Sequence, residues 1–379
     1  MSAFPKACLI AAHLLIATPA VAEAAIELTS GSPTLPTAFK NTPTNKIKYA
    51  DLDLLLKQTV LKTGRSDHKS AQKPRSITGT RVIYDNVKPS RLEGNRILFH
   101  QQTDELSRVS KALRDAMLTI PMQVKFSSIS KDEQLAYWLN LHNIIVYNEI
   151  ADRYPVTELQ PFFEGCETET SIYCTRSYNL AGQMISLQDI RDHVVANWDD
   201  PLVIYGFYLG AVGTPNARAG AFTAKNVWQG LRENAVDFIH SVRGSRDRSK
   251  KTLNVSEYYT NFPRYFPNFN EDTLTHVRAY AEPNYLNKLG KIKSVKASLS
   301  DWNIADLYNG HLTDPTGVGN VQRVNPKSKR ANNATPLHAQ RLMADIQRRN
   351  KKRAKSVVSK NQSNTDFAAK KKSEDSAGS

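Results

Sequence analysis

The apolar positions between Ser130 and Pro155 do not keep to one stripe. Leu135, Trp138, Leu139, Leu141, Ile144, Ile145, Val146 and Ile150 leave few faces for water, and a helix that is apolar nearly all round is a buried one. Ser130 followed by Glu133 has the form of a capping box, and Tyr154-Pro155 supplies a stop because the residue before proline is pushed out of the helical region. The pattern predicts one long central helix. Asn140, Asn143 and Tyr147 share one side of it. Buried polar groups cost free energy unless bonded, so these amides are expected either to clamp a neighbouring loop or to face a ligand.

Ahead of that helix, Leu52, Leu55, Leu56, Val60 and Leu61 recur at helical spacing up to Gly64, and Arg65 to Gly79 reads as a basic, solvated loop. Arg81-Val82-Ile83-Tyr84 and Arg96-Ile97-Leu98-Phe99 read as short strands. Thr103 to Leu118 returns to helical period and is closed by Ile120-Pro121. Beyond the central helix, the Ala181-Gly182 pair inside Ser177 to Ser186 predicts a hairpin, and Ser186 to Asp189 opens a helix through Leu187, Ile190, Val194 and Val195. Asp200-Pro201 is a cap followed by a first-turn proline, which favours helix for the apolar run Leu202 to Gly210.

Gly210 to Gly220 is a Gly/Pro loop with backbone amides in plenty, but it matches neither nucleotide-binding glycine motif, and no motif in the chain implies a cofactor. Thr223 to Val242 is an amphipathic helix. Tyr258, Tyr259, Phe262, Tyr265 and Phe266 form a cluster that reads as core in preference to a stacking surface. The fold class expected is α+β, a mostly helical domain over 46–312 with a small sheet or hairpins.

Composition changes the picture at the two ends. Met1 to Ala22 joins one lysine, a short apolar run and Ala20-Val21-Ala22, the form of a cleaved secretory signal and too short for a membrane anchor. Residues 23–45 are rich in Pro, Thr and Ser and are expected to be a flexible arm. The net charge is +15, and Arg323 to Ser379 alone holds 15 Lys and Arg against 4 Asp and Glu, a net +11. Residues 320–379 have the composition of a disordered basic tail, within which Pro336 to Lys355 is expected to form a transient basic helix with Leu337, Leu342 and Ile346 as its few apolar contacts. Its expected partner is an anionic envelope surface or polymer, with a merely solubilising role as the alternative. Export places the domain in the periplasm or outside the cell. There Cys166 and Cys174 are expected to form a local disulfide. A free nucleophile is the other possibility, and a metal site would lack nearby His or Cys ligands at zinc spacing.

Leu135-Ala-Tyr-Trp-Leu-Asn-Leu-His-Asn143 resembles the Ala-[Phe/Tyr]-Trp-x-Asn-x-[Tyr/His]-Asn helix of the DUF547 family. The likeness continues through Tyr154-Pro155-Val156, Gly182 to Ile190, Asp200-Pro-Leu-Val-Ile204, Gly210-Ala-x-x-x-Pro215 and Asn234 to Ile239, with Val255-Ser256 after it, covering about 125–265. The resemblance implies a mixed α/β domain without an established general activity. It also implies a Cys after the apolar run, a His within it and an Ile-Glu-His in the preceding helix, ingredients for thiol chemistry. This chain has Leu209 and Thr214 at the two Cys positions, Ile204 at the His position, and Ile190-Arg191-Asp192 for Ile-Glu-His.

Two functional expectations follow. The favoured one is an exported binding or scaffold module that holds a peptide or envelope ligand between the Asn140/Asn143 helix and the Gly210 to Pro215 loop, with Thr214 as a contact. The other is a hydrolase-like enzyme with a relocated centre, in which His193, Asp192 or Asp189 serves as base beside the hydroxyl of Thr214 or Ser186.

Overall fold

The long helix α3 is continuous from Lys131 to Arg153, and sixteen of its residues are buried. The computed structural model describes residues 33–37, 45–72, 86–163, 166, 171–247, 251–312, 336 and 338–355, and all of them belong to the unit Pro33–Ser379. The expected signal at 1–22 and the strand at Arg81 to Tyr84 lie outside these residues. Ser130 caps α3 by accepting from the Glu133 amide at 3.1 Å. The Glu133 carboxylate instead accepts from Ile47 N, tying the helix start to the segment before α1.

Before α3 come α1 (Ala50–Thr59), β1 (Val60–Leu61), β2 (Arg96–Ile97) and α2 (Asp104–Gln123), with β1 and β2 antiparallel. Pro121 was expected to stop α2 but lies in its last turn. Proline has no N–H, so Met117 O loses its helical donor. Tyr137 OH of α3 donates to that carbonyl at 3.0 Å, which satisfies the group and joins the two helices.

After α3 come α4 (Gln160–Phe163) and the hairpin β3 (Tyr178–Leu180) and β4 (Gln183–Ile185), turning at Ala181 and Gly182, both at positive φ as a tight hairpin requires. Helix α5 (Leu187–Asn197) starts with a full Ser186/Asp189 capping box. The apolar run then forms a 3-10 segment, Pro201–Gly206, followed by extended chain, instead of an α-helix. Asp200 caps it as the sequence predicts. Helix α6 (Val227–Ile239) leads into a three-stranded sheet of β5 (Ser245–Asp247), β6 (Thr252–Ser256) and β7 (Ser294–Leu299). β6 is central, antiparallel to β5 and parallel to β7. Helices α7 (Phe269–Tyr280) and α8 (Pro283–Leu289) make the crossover. The α+β expectation holds: helices α2, α5 and α6 pack on α3, and the strands form small sheets of two or three.

Both flanks differ from expectation where they are described. Within the arm, Leu35 is buried, and the Thr34 backbone lies 3.1 Å from the Gln183 carboxamide. Within the expected tail, residues 338–355 form a helix, α9. Ala339, Leu342, Ile346 and Arg349 recur every three or four residues and are buried. Arg349 donates to the carbonyls of Gly64, Arg65 and Leu92, and Arg348 pairs with Asp67. The helix is the one expected over Pro336 to Lys355, but in place of a transient helix in a disordered tail it has a buried face, because Ala339 and Arg349 extend the stripe of Leu342 and Ile346. The remainder of 320–379 lies outside the described residues.

Asn140 Nδ2 donates to Phe222 O at 2.8 Å and its Oδ1 accepts from Phe222 N at 2.9 Å. Asn143 makes the same pair of bonds to Gly206 O and Tyr208 N, at 2.8 and 3.0 Å. Truncating either side chain strands a backbone donor and a backbone acceptor in the interior, at about 1–3 kcal/mol each. Asn143→Ala is expected to lose about 2–4 kcal/mol of stability in urea unfolding. A loss under about 0.5 kcal/mol, the size of an ordinary surface change, would refute the clamp.

Candidate functional site

The Asn clamps determine what lies between α3 and the glycine loop. Asn143 fixes the chain at 206–208, and residues 210–213 then pair with 301–305: Ala305 N donates to Gly210 O, Val212 N to Asn303 O and Gly213 N to Asp301 O. The loop therefore offers fewer open amides than its composition suggests. Gly210 sits at φ +80, and a Cβ there would lie 2.2 Å from Ile150 Cδ1, so only glycine permits this approach to α3. Between α3 and the loop remains a cavity of about 20 Å³, lined by Asn140, Asn143, Tyr208 and Arg218 among others. That is room for about one water. The Asn140/Asn143 cleft expected to hold a ligand is thus closed, and its amides are occupied by backbone.

The residues of the expected hydrolase centre do not converge. Thr214 is buried, and its hydroxyl donates to Ala211 O at 2.9 Å within its own loop. Ser186 and Asp189 are bonded to each other in the α5 cap, and Arg176 pairs with Asp189. Asp192 is exposed and pairs with Arg191 at 2.8 Å. His193 packs between Trp138 and Trp198, with ring centroids 4.6 and 6.4 Å away, and its Nε2 has no hydrogen-bond partner. Burial holds this imidazole down to about 4.

What the structure does bring together is the former thiol position and its surroundings. Leu209, where the family resemblance implies a cysteine, lines a chamber of about 230 Å³. Phe163, Tyr173, Phe207, Tyr258, Phe262 and Trp302 supply aromatic walls. Arg191 enters from α5 with its guanidinium 5.3 Å from the Tyr173 ring centroid, and Gln188 and Asn261 add carboxamides. Cys166 and Cys174 form a disulfide, and both line the same chamber. A second chamber of about 200 Å³ lies alongside, sharing Tyr258, Asn261 and Trp302 with the first. Thr214, Ser256, Thr260 and Ser300 make that neighbour more polar.

Each part of the chamber has a local cause. Gln188 and Arg191 are three residues apart on α5 and so share a face. Phe207 and Leu209 lie on the extended chain that Asn143 anchors at Tyr208 N. Tyr258 is held where its hydroxyl donates to Ile204 O, so Ile204, where the resemblance implies a histidine, supports it through the backbone. In the sequence Leu209 stands out as a replaced position, Gln188, Asn261 and Trp302 do not stand out, and Arg191 shows only as an arginine where the resemblance implies a glutamate. The i, i+3 pair on α5 was the signal available.

Residues 126–239 match the family described as "Protein of unknown function, DUF547". Neither the curated proteins nor the solved structures contain a match to this chain.

Buried histidines set an expected pH response. His193, His142, His276 and His68 are each held down to about 4, first by burial, against an ordinary 6.5. The unfolded chain therefore binds more protons between these limits. The histidines' contribution is complete above about 6.5 and is lost as pH falls toward 4. Glu93 works in the other direction. Burial raises its carboxyl to about 7, so its contribution is complete below about 4.5 and is lost as pH rises. The histidines outnumber it, so the urea midpoint at pH 5 is expected below that at pH 7. An unchanged or higher midpoint at pH 5 would contradict the buried, neutral assignment.

Proposed function

With this chain a DUF547 domain-containing protein, we propose that it is an exported binding module whose ligand occupies the aromatic chamber at Leu209. One observation carries the reading. The position where the family resemblance implies a nucleophile is here an aliphatic wall of a chamber of about 230 Å³, with Arg191 beside it. Leucine cannot attack a substrate, but it does contribute apolar surface to a ligand. Aromatic walls with a few polar groups are the usual make-up of a small-ligand site.

The hydrolase alternative has less support, because His193 is wedged between tryptophans and Thr214 is bonded into its own loop. Export is supported by the character of residues 1–22 and by the disulfide, which suits an oxidising compartment. Among the described residues no helix is long and apolar enough to cross a membrane. The basic segment is proposed to contact an anionic envelope surface through the outward side of α9, where Lys351, Lys352 and Lys355 are exposed. Adsorption to phosphatidylglycerol vesicles should then weaken with salt and fall when these lysines are changed to Glu. Undiminished adsorption of that variant would remove this part of the proposal.

For the chamber, 1-anilinonaphthalene-8-sulfonate is a suitable fluorescent probe. One saturable site is expected on the oxidised protein, lost in Leu209→Trp and kept in His193→Ala. Full binding by a folded Leu209→Trp variant would show that the probe sits elsewhere. Hydrolysis of p-nitrophenyl acetate that vanished in a folded His193→Ala variant would favour the enzyme instead.

A further inference from the structure

The chamber at Leu209 combines one cation, apolar walls and a polar neighbour, and this combination constrains its ligand. Arg191 is the cation among the residues that line it, and its side chain is only 18% exposed. A guanidinium stays protonated at any physiological pH. Its carboxylate partner, Asp192, is 54% exposed and adjacent in sequence, and such surface pairs hold a charge weakly. Nε and Nη2 of Arg191 turn to Asp192. Tyr173 shares a side-chain hydrogen bond with Arg191, and Asp192 and Tyr173 do not use all five N–H donors of the guanidinium, which leaves capacity for a second anion. Gln188, one turn earlier on α5, brings a carboxamide to the same chamber.

Phe207, Leu209 and Phe262 give the same chamber apolar surface, and its volume of about 230 Å³ has room for one aromatic or branched side chain. Tyr258, Asn261 and Trp302 then border both chambers, and the second contains the hydroxyls of Ser256, Thr260 and Ser300. Glu257 and Asp301 also line it, the Asp301 carboxylate accepting from Asn86, Ser90 and Asn303. The second chamber therefore provides hydroxyl and carboxylate oxygens, which accept from main-chain amide N–H groups.

We propose that the paired chambers bind the C-terminal end of a short peptide. The terminal carboxylate sits on Arg191, the last side chain fills the space around Leu209, and the preceding main chain passes Tyr258 and Trp302 into the second chamber. Charge complementarity selects the carboxylate, since a planar guanidinium matches its two oxygens. Capture of a terminal carboxylate is a recurrent mode of peptide recognition. The inference rests on the binding-module reading and adds the ligand's class and orientation to it.

The test uses dansyl-Ala-Ala-Phe with a free carboxylate and the same peptide as its C-terminal amide, titrated against the full oxidised chain by fluorescence anisotropy. The acid is expected to bind at least about ten-fold tighter than the amide, the scale of one charge-assisted contact. Arg191→Gln should remove the preference for the acid over the amide, and Leu209→Trp should abolish binding of both. Arg191→Lys keeps the charge without the fork and should restore only part of the preference. Equal binding of acid and amide to the unaltered chain, or a preference that survives in Arg191→Gln, would overturn the carboxylate assignment while leaving the chamber as the site. Failure of both peptides to bind the unaltered chain would overturn the peptide assignment, and dye binding that survives Leu209→Trp would overturn the chamber itself. If Arg191→Gln does not fold, the acid and amide comparison on the unaltered chain still decides the point.

Discussion

Two side-chain carboxamides on a buried helix determine much of what the rest of this chain does. Asn140 and Asn143 each present a donor and an acceptor to a single stretch of backbone, and each stretch answers with both partners. A carboxamide matches a peptide edge in this way because it has the same pair of groups. Inside a protein an unpaired member of such a pair is costly, so the match specifies position as well as adding stability. One clamp holds Phe222 and the other 206–208, segments far along the chain that no local propensity would bring to α3.

From the second clamp the consequences run in a definite order. With Gly206 and Tyr208 fixed, Phe207 and Leu209 lie on a chain of known path. Gly210 then approaches Ile150 so closely that no side chain fits, and the following residues pair with 301–305. That pairing carries Trp302 toward the aromatic wall. The same interaction therefore closes the cleft between α3 and the glycine loop and opens the chamber on the other side of the chain. Arg191 and the disulfide complete the chamber from α5 and from the loop that precedes the hairpin.

The sequence revealed the scaffold better than the site, for reasons visible in particular residues. Helix α3 was legible because cap, apolar surround and proline stop all agree, and the hairpin because Ala181-Gly182 leaves little choice of turn. The disulfide followed from compartment. Asn140 and Asn143 could be singled out as buried amides, yet their partners lie 63 to 82 residues away and periodicity does not find them. Arg191 was hidden by its type, since a charged residue on a short amphipathic helix is normally solvated. Helix α9 was legible as a basic helix with Leu342 and Ile346 among its few apolar contacts. Its arginines and lysines concealed that this face is buried, with Ala339 and Arg349 completing the stripe. The apolar run after Asp200 carried no period at all, so its 3-10 and extended form could come only from tertiary contacts.

The central claim is that α3 holds the chamber through Asn143, and amide hydrogen exchange resolved along the chain tests it most directly. Gly206 to Gly213 should be among the protected segments in the unaltered protein. In Asn143→Ala, exchange should rise over 206–213 and at 302–305, while α2 and the first half of α3 keep their protection. Protection over 206–213 that matches the unaltered protein would contradict the account.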